Sequence, residues 1–408
     1  MYDVIVVGAR CAGSPLAMLL ARQGHRVLVV DRNSFPSDTV STHYILQLGI
    51  ARLRDWELLD KLAASGVTPI RRLNFSSTLS GFAEIDGVTA TYAPRRTVLD
   101  ALLVDAARAA GADVLEKFTV TDLVWREGRV AGVRGSSAGG REQEFRADFV
   151  VGADGRNSTV GNLVDAEYHH VVPPSGFFAY NYYDGLDWGW QIRASSDRQW
   201  FGAWPTNDNQ HVVAVMRRLD RFADFRADVE GNFHQVFDQI APDFGARLRD
   251  CGSRAERFRV MRYSENYYRR SAGPGWALVG DAGYHKDPYT GAGISDALVY
   301  AELLADHLHA GLSGAQPIDE AVRDYERLRD KRSAPYYEFT HTLAELALPP
   351  LYRAAFGAAA GSELGRAQYF TLIGGGLDAT EFFGRDNLQV LYDAAGTPDA
   401  EREFPNRS

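Results

Sequence analysis

Tyr2–Val7 reads YDVIVV, and Gly8-Ala9-Arg10-Cys11-Ala12-Gly13 follows it without a gap. Leu16, Leu19 and Leu20 then mark an apolar helix face running to Gly24, and a second β-branched run, Arg26–Val30, ends in Asp31. A strand, a glycine turn, a helix and a second strand make a βαβ unit, which commits this part of the chain to a parallel sheet. The acid at the end of the second strand, about twenty residues after the glycines, is the dinucleotide arrangement. Gly8 allows the tight turn and Gly13 the close packing of helix on strand. Asp31 is placed for an adenosine ribose, and a pyrophosphate fits the helix amino terminus. Arg10 stands where the middle glycine of the pattern belongs, so its side chain must turn aside or touch the ligand. Cys11 reads either as a thiol made acidic by the helix start or, by default, as a small packing residue.

A second stretch decides the chemistry. Trp276–Asp296 reads WALVGDAGYHKDPYTGAGISD. It begins as a buried strand and puts Asp281 at the carboxyl end, where open α/β sheets bind ligands. Gly291 and Gly293 then lead into a helical pattern of Ile294, Ala297, Leu298, Ala301, Leu304, Ala305 and Leu308. The amino terminus of that helix points back at Asp281, a setting for a polyol next to developing negative charge. A third acid at a strand end, Asp154 of GADGRNS, follows Asp148–Gly152.

The remaining chain divides by pattern. Ser37–Ile50 is a Ser- and Thr-bearing linker in which His43 either lines a ligand or, by default, caps or meets solvent. Ala51–Leu62 reads as one helix, Leu73–Tyr92 as two or three strands, and a helix runs from Arg96 to Gly111. An Arg in the first turn opposes the helix dipole unless it meets an anion, so Arg96 is a candidate phosphate contact. Phe177–Met216 carries Trp188, Trp190, Trp200 and Trp204 with Tyr180, Tyr182 and Tyr183, and its alternation predicts antiparallel strands. Such a face packs a core or receives a flat apolar molecule. Gly231–Arg249 is helical, and Phe258–Tyr268 returns as a strand. Helical patterns follow to about Lys331, over Tyr336–Gly357 and over Leu364–Phe383, with a mobile polar tail after Pro398.

Composition matters mainly by exclusion. A net charge of −9 with scattered Arg pairs gives no footprint for nucleic acid or an anionic membrane surface. Two cysteines make no disulfide framework. The amino-terminal apolar run is too short for a signal peptide or membrane span, so a cytoplasmic protein without an integral membrane segment is expected. No metal site is expected, and no oligomeric state follows.

Together GARCAG, GADGRNS and GDAGYHKDPYTGAGISDA resemble the flavin-dependent monooxygenases of the para-hydroxybenzoate hydroxylase type and the related geranylgeranyl reductases. The resemblance extends to about residue 310. It implies an α/β protein with a Rossmann-like FAD-binding domain in three pieces, 1–72, 93–166 and 263–330. It also implies an inserted antiparallel substrate sheet, 73–92 with 167–262, leaving 331–408 as a carboxyl-terminal helical region. By the same resemblance Gly8, Arg10, Cys11, Ala12, Gly13, Asp31 and Arg32 hold the ADP half of FAD, with Arg96 near the pyrophosphate. Asp154-Gly155 serve FAD and NADH or NADPH, and Asp281 holds the ribityl chain. Asp287, Pro288, Gly291, Ala292, Gly293 and Ile294 lie beside the isoalloxazine.

The implied reaction has NAD(P)H reduce the flavin and O2 add at its C4a position. The resulting hydroperoxide hands an oxygen to an aromatic or polycyclic small molecule. The candidates for proton chemistry are His43, Tyr180, Tyr182 and His285, none of them identified as a general base. An alkene-reducing enzyme of the geranylgeranyl type shares all three motifs. Trp188-Gly189-Trp190-Gln191-Ile192-Arg193 is similar to the WxWxIP signature of flavin-dependent halogenases but ends in Arg, and aromatic packing accounts for it. A non-catalytic FAD-fold protein is the remaining alternative, encouraged only by Arg10.

Overall fold

A computed structural model describes residues 1–405 except 196 and 251. Tyr2–Val7 pairs in parallel with Val27–Val30 on one side and Gln143–Gly152 on the other. Asp113–Leu115 and Trp276–Leu278 extend this parallel sheet at its two ends. The chain therefore reverses its direction of growth beside the first strand, the place where such sheets bind ligands. Val4 and Val6 pack with Leu16 of the first helix (Gly13–Arg22) and Leu298 of the helix Gly293–Leu312. Ile5 and Val7 face the opposite side with Phe118, Val133 and Trp276. Burial on both faces explains why these strands read as unbroken apolar runs.

The second sheet is antiparallel at its centre: Gly176–Asp184, His211–Arg218, Gln199–Pro205 and Trp190–Ser195 lie side by side. The expected strands of Leu73–Tyr92 reduce to Leu73–Asn74, Ser80–Gly81 and isolated bridges. Alternation divides the sheet's faces. Phe177, Phe201 and Val213 pack against Phe233 and Phe237 of the helix Val229–Ile240. Phe178, Tyr180, Trp200 and Trp204 face the carboxyl-terminal helices.

Several boundaries differ from the sequence reading. The helix expected over Ala51–Leu62 is two, Gln47–Asp55 and Leu59–Ala64, because Glu57 adopts a left-handed φ of 64° between them. Phe258–Tyr268 is two strands in different sheets, Arg259–Arg262 and Asn266–Arg269. Ile318–Ala344 runs as one helix through Pro335, whose cost the packing of Tyr337 and Phe339 offsets. After Pro398 the tail makes a short turn at Asp399–Glu401, and Tyr392 OH donates to the Glu403 carbonyl at 2.6 Å. The last three residues of the tail lie outside the described residues. Among the described residues no helix is long and apolar enough to cross a membrane.

Candidate flavin site

The three motifs meet at the carboxyl edge of the parallel sheet. Gly8 has a φ of 103°, and a Cβ there would lie 2.4 Å from the Ala153 carbonyl oxygen, beside Asp154. A Cβ on Gly280 would lie 2.9 Å from the Cβ of Ala12. No side chain caps the first helix, and its first turn holds no acid, so its amino terminus is free for an anion. Asp31 accepts the amide of Ala9 at 2.8 Å and that of Asn33 at 2.7 Å, which fixes its carboxylate at the end of the second strand. Arg32 beside it is exposed.

Arg10 turns aside. Its guanidinium bonds Ser37 Oγ at 3.0 Å and pairs with Asp100, which also takes Arg96 Nη2 at 2.9 Å. Asp100, fully buried between two guanidiniums, is the residue that sequence reasoning missed. Its signal was available: an acid four residues after Arg96, on the apolar face that carries Leu99 and Leu103. Burial opposes the charge on Arg96, but the Asp100 and Asp281 carboxylates around it hold it above its ordinary pKa and fully charged. Cys11 is not an acidic thiol: burial pushes it up to about 12, and its Sγ lies 3.4 Å from Asp100 Oδ1.

Asp154 turns its carboxylate into its own loop, accepting Ser158 Oγ at 2.5 Å and the amide of Thr159 at 2.6 Å. Burial raises its pKa. Asp281 is the more open acid, with 45% of its side chain exposed and His285 Nδ1 at 3.5 Å. Partial burial works against its charge, yet His285, Arg156 and Lys286 hold its carboxyl below the usual range. His285 also meets Ser264 Oγ at 3.1 Å. Lys286, buried on the same turn, pairs with Asp296 and donates to Tyr284 OH at 2.8 Å, pinning the turn to the first turn of the helix Gly293–Leu312. That helix has no side-chain cap, and Gly293 at its start is exposed, while Ala292 and Ile294 are buried.

Asp287 is buried, accepts Ser175 Oγ at 3.0 Å and leaves Oδ1 without a partner. Burial raises its pKa from 3.8 to about 6. The folded chain therefore takes up a proton between these values that the unfolded chain does not. The stability this carboxyl contributes is largest at low pH and falls as pH rises from about 4 to about 6. Asp287→Asn is expected to raise unfolding stability at neutral pH by on the order of 2 kcal/mol and to flatten that pH dependence. Urea unfolding across the window checks this, and an unchanged slope would refute it.

Beyond Pro288 and Gly291 opens a cavity of about 590 Å3. Its walls are Trp190, Trp200 and Trp204 of the antiparallel sheet, Tyr289, and Tyr336, Phe356 and Tyr369 of the carboxyl-terminal helices. These helices carry no motif, and sequence reasoning assigned them no part in the site. Thr42 and Tyr44 line the cavity, while His43 between them is fully buried. A capping or solvent role for His43 is thereby overturned: its Nε2 lies 2.8 Å from Tyr182 OH. Burial, with Arg96 and Arg95 near, holds its imidazole well below its ordinary pKa and thus neutral. Tyr180 packs edge-on to both His43 and Tyr182, and Arg95 lies 3.6 Å above the Tyr182 ring. Three of the four proton-chemistry candidates thus form one cluster, and His285 stands apart from them with Asp281.

Residues 1–340 match the FAD binding domain family. Digeranylgeranylglycerophospholipid reductase 1 of Methanococcoides burtonii is 27% identical over 80% of this chain and 79% of its own length. Among solved structures, the flavin-dependent brominase Bmp2 superposes with a TM-score of 0.81 at 20% identity, covering 98% of this chain and 99% of that one. PqsL of P. aeruginosa, in complex with 2-aminobenzoylacetate, superposes with a TM-score of 0.73 at 21% identity, covering 84% of this chain and 95% of that one. At these identities the structural neighbours establish a shared fold. The open helix termini, the glycine contacts and the strand-end carboxylates of Asp31 and Asp281 fit the group that the family binds, and the chain belongs to the FAD-binding domain family as an FAD-dependent oxidoreductase.

Proposed function

We propose that the protein is an NAD(P)H- and O2-using monooxygenase that hydroxylates or epoxidises an aromatic or polycyclic small molecule. The observation that carries this reading is the aromatic cavity beside the Pro288–Gly291 turn. Bound FAD would supply electron transfer and oxygen activation. In this reading Gly8–Gly13 and Asp31 receive the ADP half, and Arg96 faces the pyrophosphate. Asp281 takes the ribityl hydroxyls, and the amino terminus at Gly293 offsets negative charge at the ring's pyrimidine edge. Trp190, Trp200 and Trp204 orient a flat substrate and exclude water. Tyr182 OH and His43 Nε2, 2.8 Å apart and buried behind Thr42 and Tyr44, hold that wall of the cavity in position. The flavin is carried by residues 1–72, 93–166 and 263–330 and the substrate sheet by 73–92 and 167–262, with 331–408 closing the cavity.

The test is substrate-stimulated NAD(P)H oxidation under labelled O2. One labelled atom is expected in the product, and turnover without oxygen would overturn the reading. A second reading, an alkene reductase of the isoprenoid type, draws support from the relative at 27% identity and the apolar cavity walls. Anaerobic reduction of an isoprenoid alkene would favour it. The halogenase alternative draws on fold likeness and on its partial motif, of which Trp190 lines the cavity. Trp188 of its partial motif packs on Phe244 at 4.9 Å between ring centroids, on the sheet face away from the cavity.

A further inference from the structure

The cavity walls are mainly aromatic and aliphatic, with Thr42, Ser195, Gln199 and Thr290 as neutral polar members, and among the described residues that line it one carries a formal charge, Arg353. Arg353 is exposed, at the point where the cavity meets solvent. Its Nη1 donates to the Leu348 carbonyl at 2.6 Å, which fixes the guanidinium at the rim. Among the described residues no carboxylate pairs with it, although acids outnumber bases in the chain, 53 to 44, and many of the other arginines are in ion pairs. Arg353 also sits in the opening turn of the helix Pro350–Gly361, which has no side-chain cap and no acid in its first turn. A cation there opposes the helix dipole, and a bound anion would offset that repulsion. The interior offers hydroxyls and the Gln199 amide but no counter-charge, and burying an ionised group there without one costs several kcal/mol.

We infer that the substrate is amphiphilic, with a flat or chain-like apolar body inside the cavity and a carboxylate or phosphate held at the rim by Arg353. This rests on the cavity being the substrate site. A bidentate guanidinium contact suits either oxyanion. Binding rather than turnover tests it, using the flavin-loaded full chain in equilibrium dialysis with two ligand pairs: 9-anthracenecarboxylate against its methyl ester, and farnesyl phosphate against farnesol. In at least one pair the anion is expected to bind about tenfold more tightly than its neutral partner. Arg353→Gln should remove that preference while leaving the neutral ligand within about twofold, and Arg353→Lys should keep part of it. Which pair shows the preference distinguishes a ring acid from an isoprenoid phosphate, and either result supports the inference. Equal binding of anion and neutral ligand, or a preference untouched in Arg353→Gln, overturns the anion contact and leaves the cavity reading standing. No binding of any of the four overturns both.

Discussion

Gly13→Ala is expected to destabilise the protein by about 3 kcal/mol or more and to strip it of flavin, although alanine is the better helix former. Propensity alone favours the substitution by about 1 kcal/mol. Geometry reverses the sign: the new Cβ would lie 1.8 Å from the Gly8 carbonyl oxygen and 3.1 Å from Val6 Cγ1. Gly8 has no room to retreat, because it is itself wedged against Ala153. The helix would have to lift off the first strand, disturbing the amino terminus proposed to receive the pyrophosphate. Gly357→Ala is the control, since an added Cβ there meets nothing within 4 Å in the helix Pro350–Gly361. It should be neutral or stabilising by up to about 1 kcal/mol. Urea unfolding with flavin absorbance measures both, and a Gly13→Ala protein as stable and as yellow as wild type would refute the packing argument.

Asp100→Ala is expected to cost about 3 kcal/mol and to weaken flavin retention as well. The carboxylate lies between Arg10 and Arg96, and its removal leaves two neighbouring guanidiniums with no buried counter-charge. Arg10 would then be free to swing from Ser37 towards the helix terminus, the place from which the middle glycine of the motif normally excludes a side chain. Arg10→Gly in the Asp100→Ala background removes one of the two charges and should restore part of the stability. Thermal unfolding of the single and double variants decides the matter. Strict additivity of the two effects would show that the residues do not act together.

The place of Arg10 shows how far local pattern reaches. GARCAG departs from the glycine pattern at one position, and the sequence allows two resolutions, a side chain turned aside or one on the ligand. Asp100 makes the choice from a helix about ninety residues away, through a contact that no local period encodes. His43 is a similar case. Among Ser and Thr in a linker it reads as a cap or a solvated residue, and burial against Tyr182 makes it a neutral partner in a hydroxyl network. The carboxyl-terminal helices carry the largest surprise. Their periodicity predicts helices, yet an apolar face looks the same whether it meets another helix or the rim of a cavity.

What the sequence determined by itself is the parallel sheet, its glycine turns and the three acids at strand ends, because strand period, φ requirements and close approach are properties of a few consecutive residues. The antiparallel sheet was legible for the same reason, through its alternation. The tertiary structure alone decided that Asp154 spends its carboxylate on its own turn while Asp281 keeps its own open. It also decided that Cys11 is inert, that Asp100 binds two arginines, and that Tyr336, Phe356 and Tyr369 close the aromatic cavity. Burial, charge neighbours and cavity walls arise between segments far apart in the chain, so they exist only once those segments have packed.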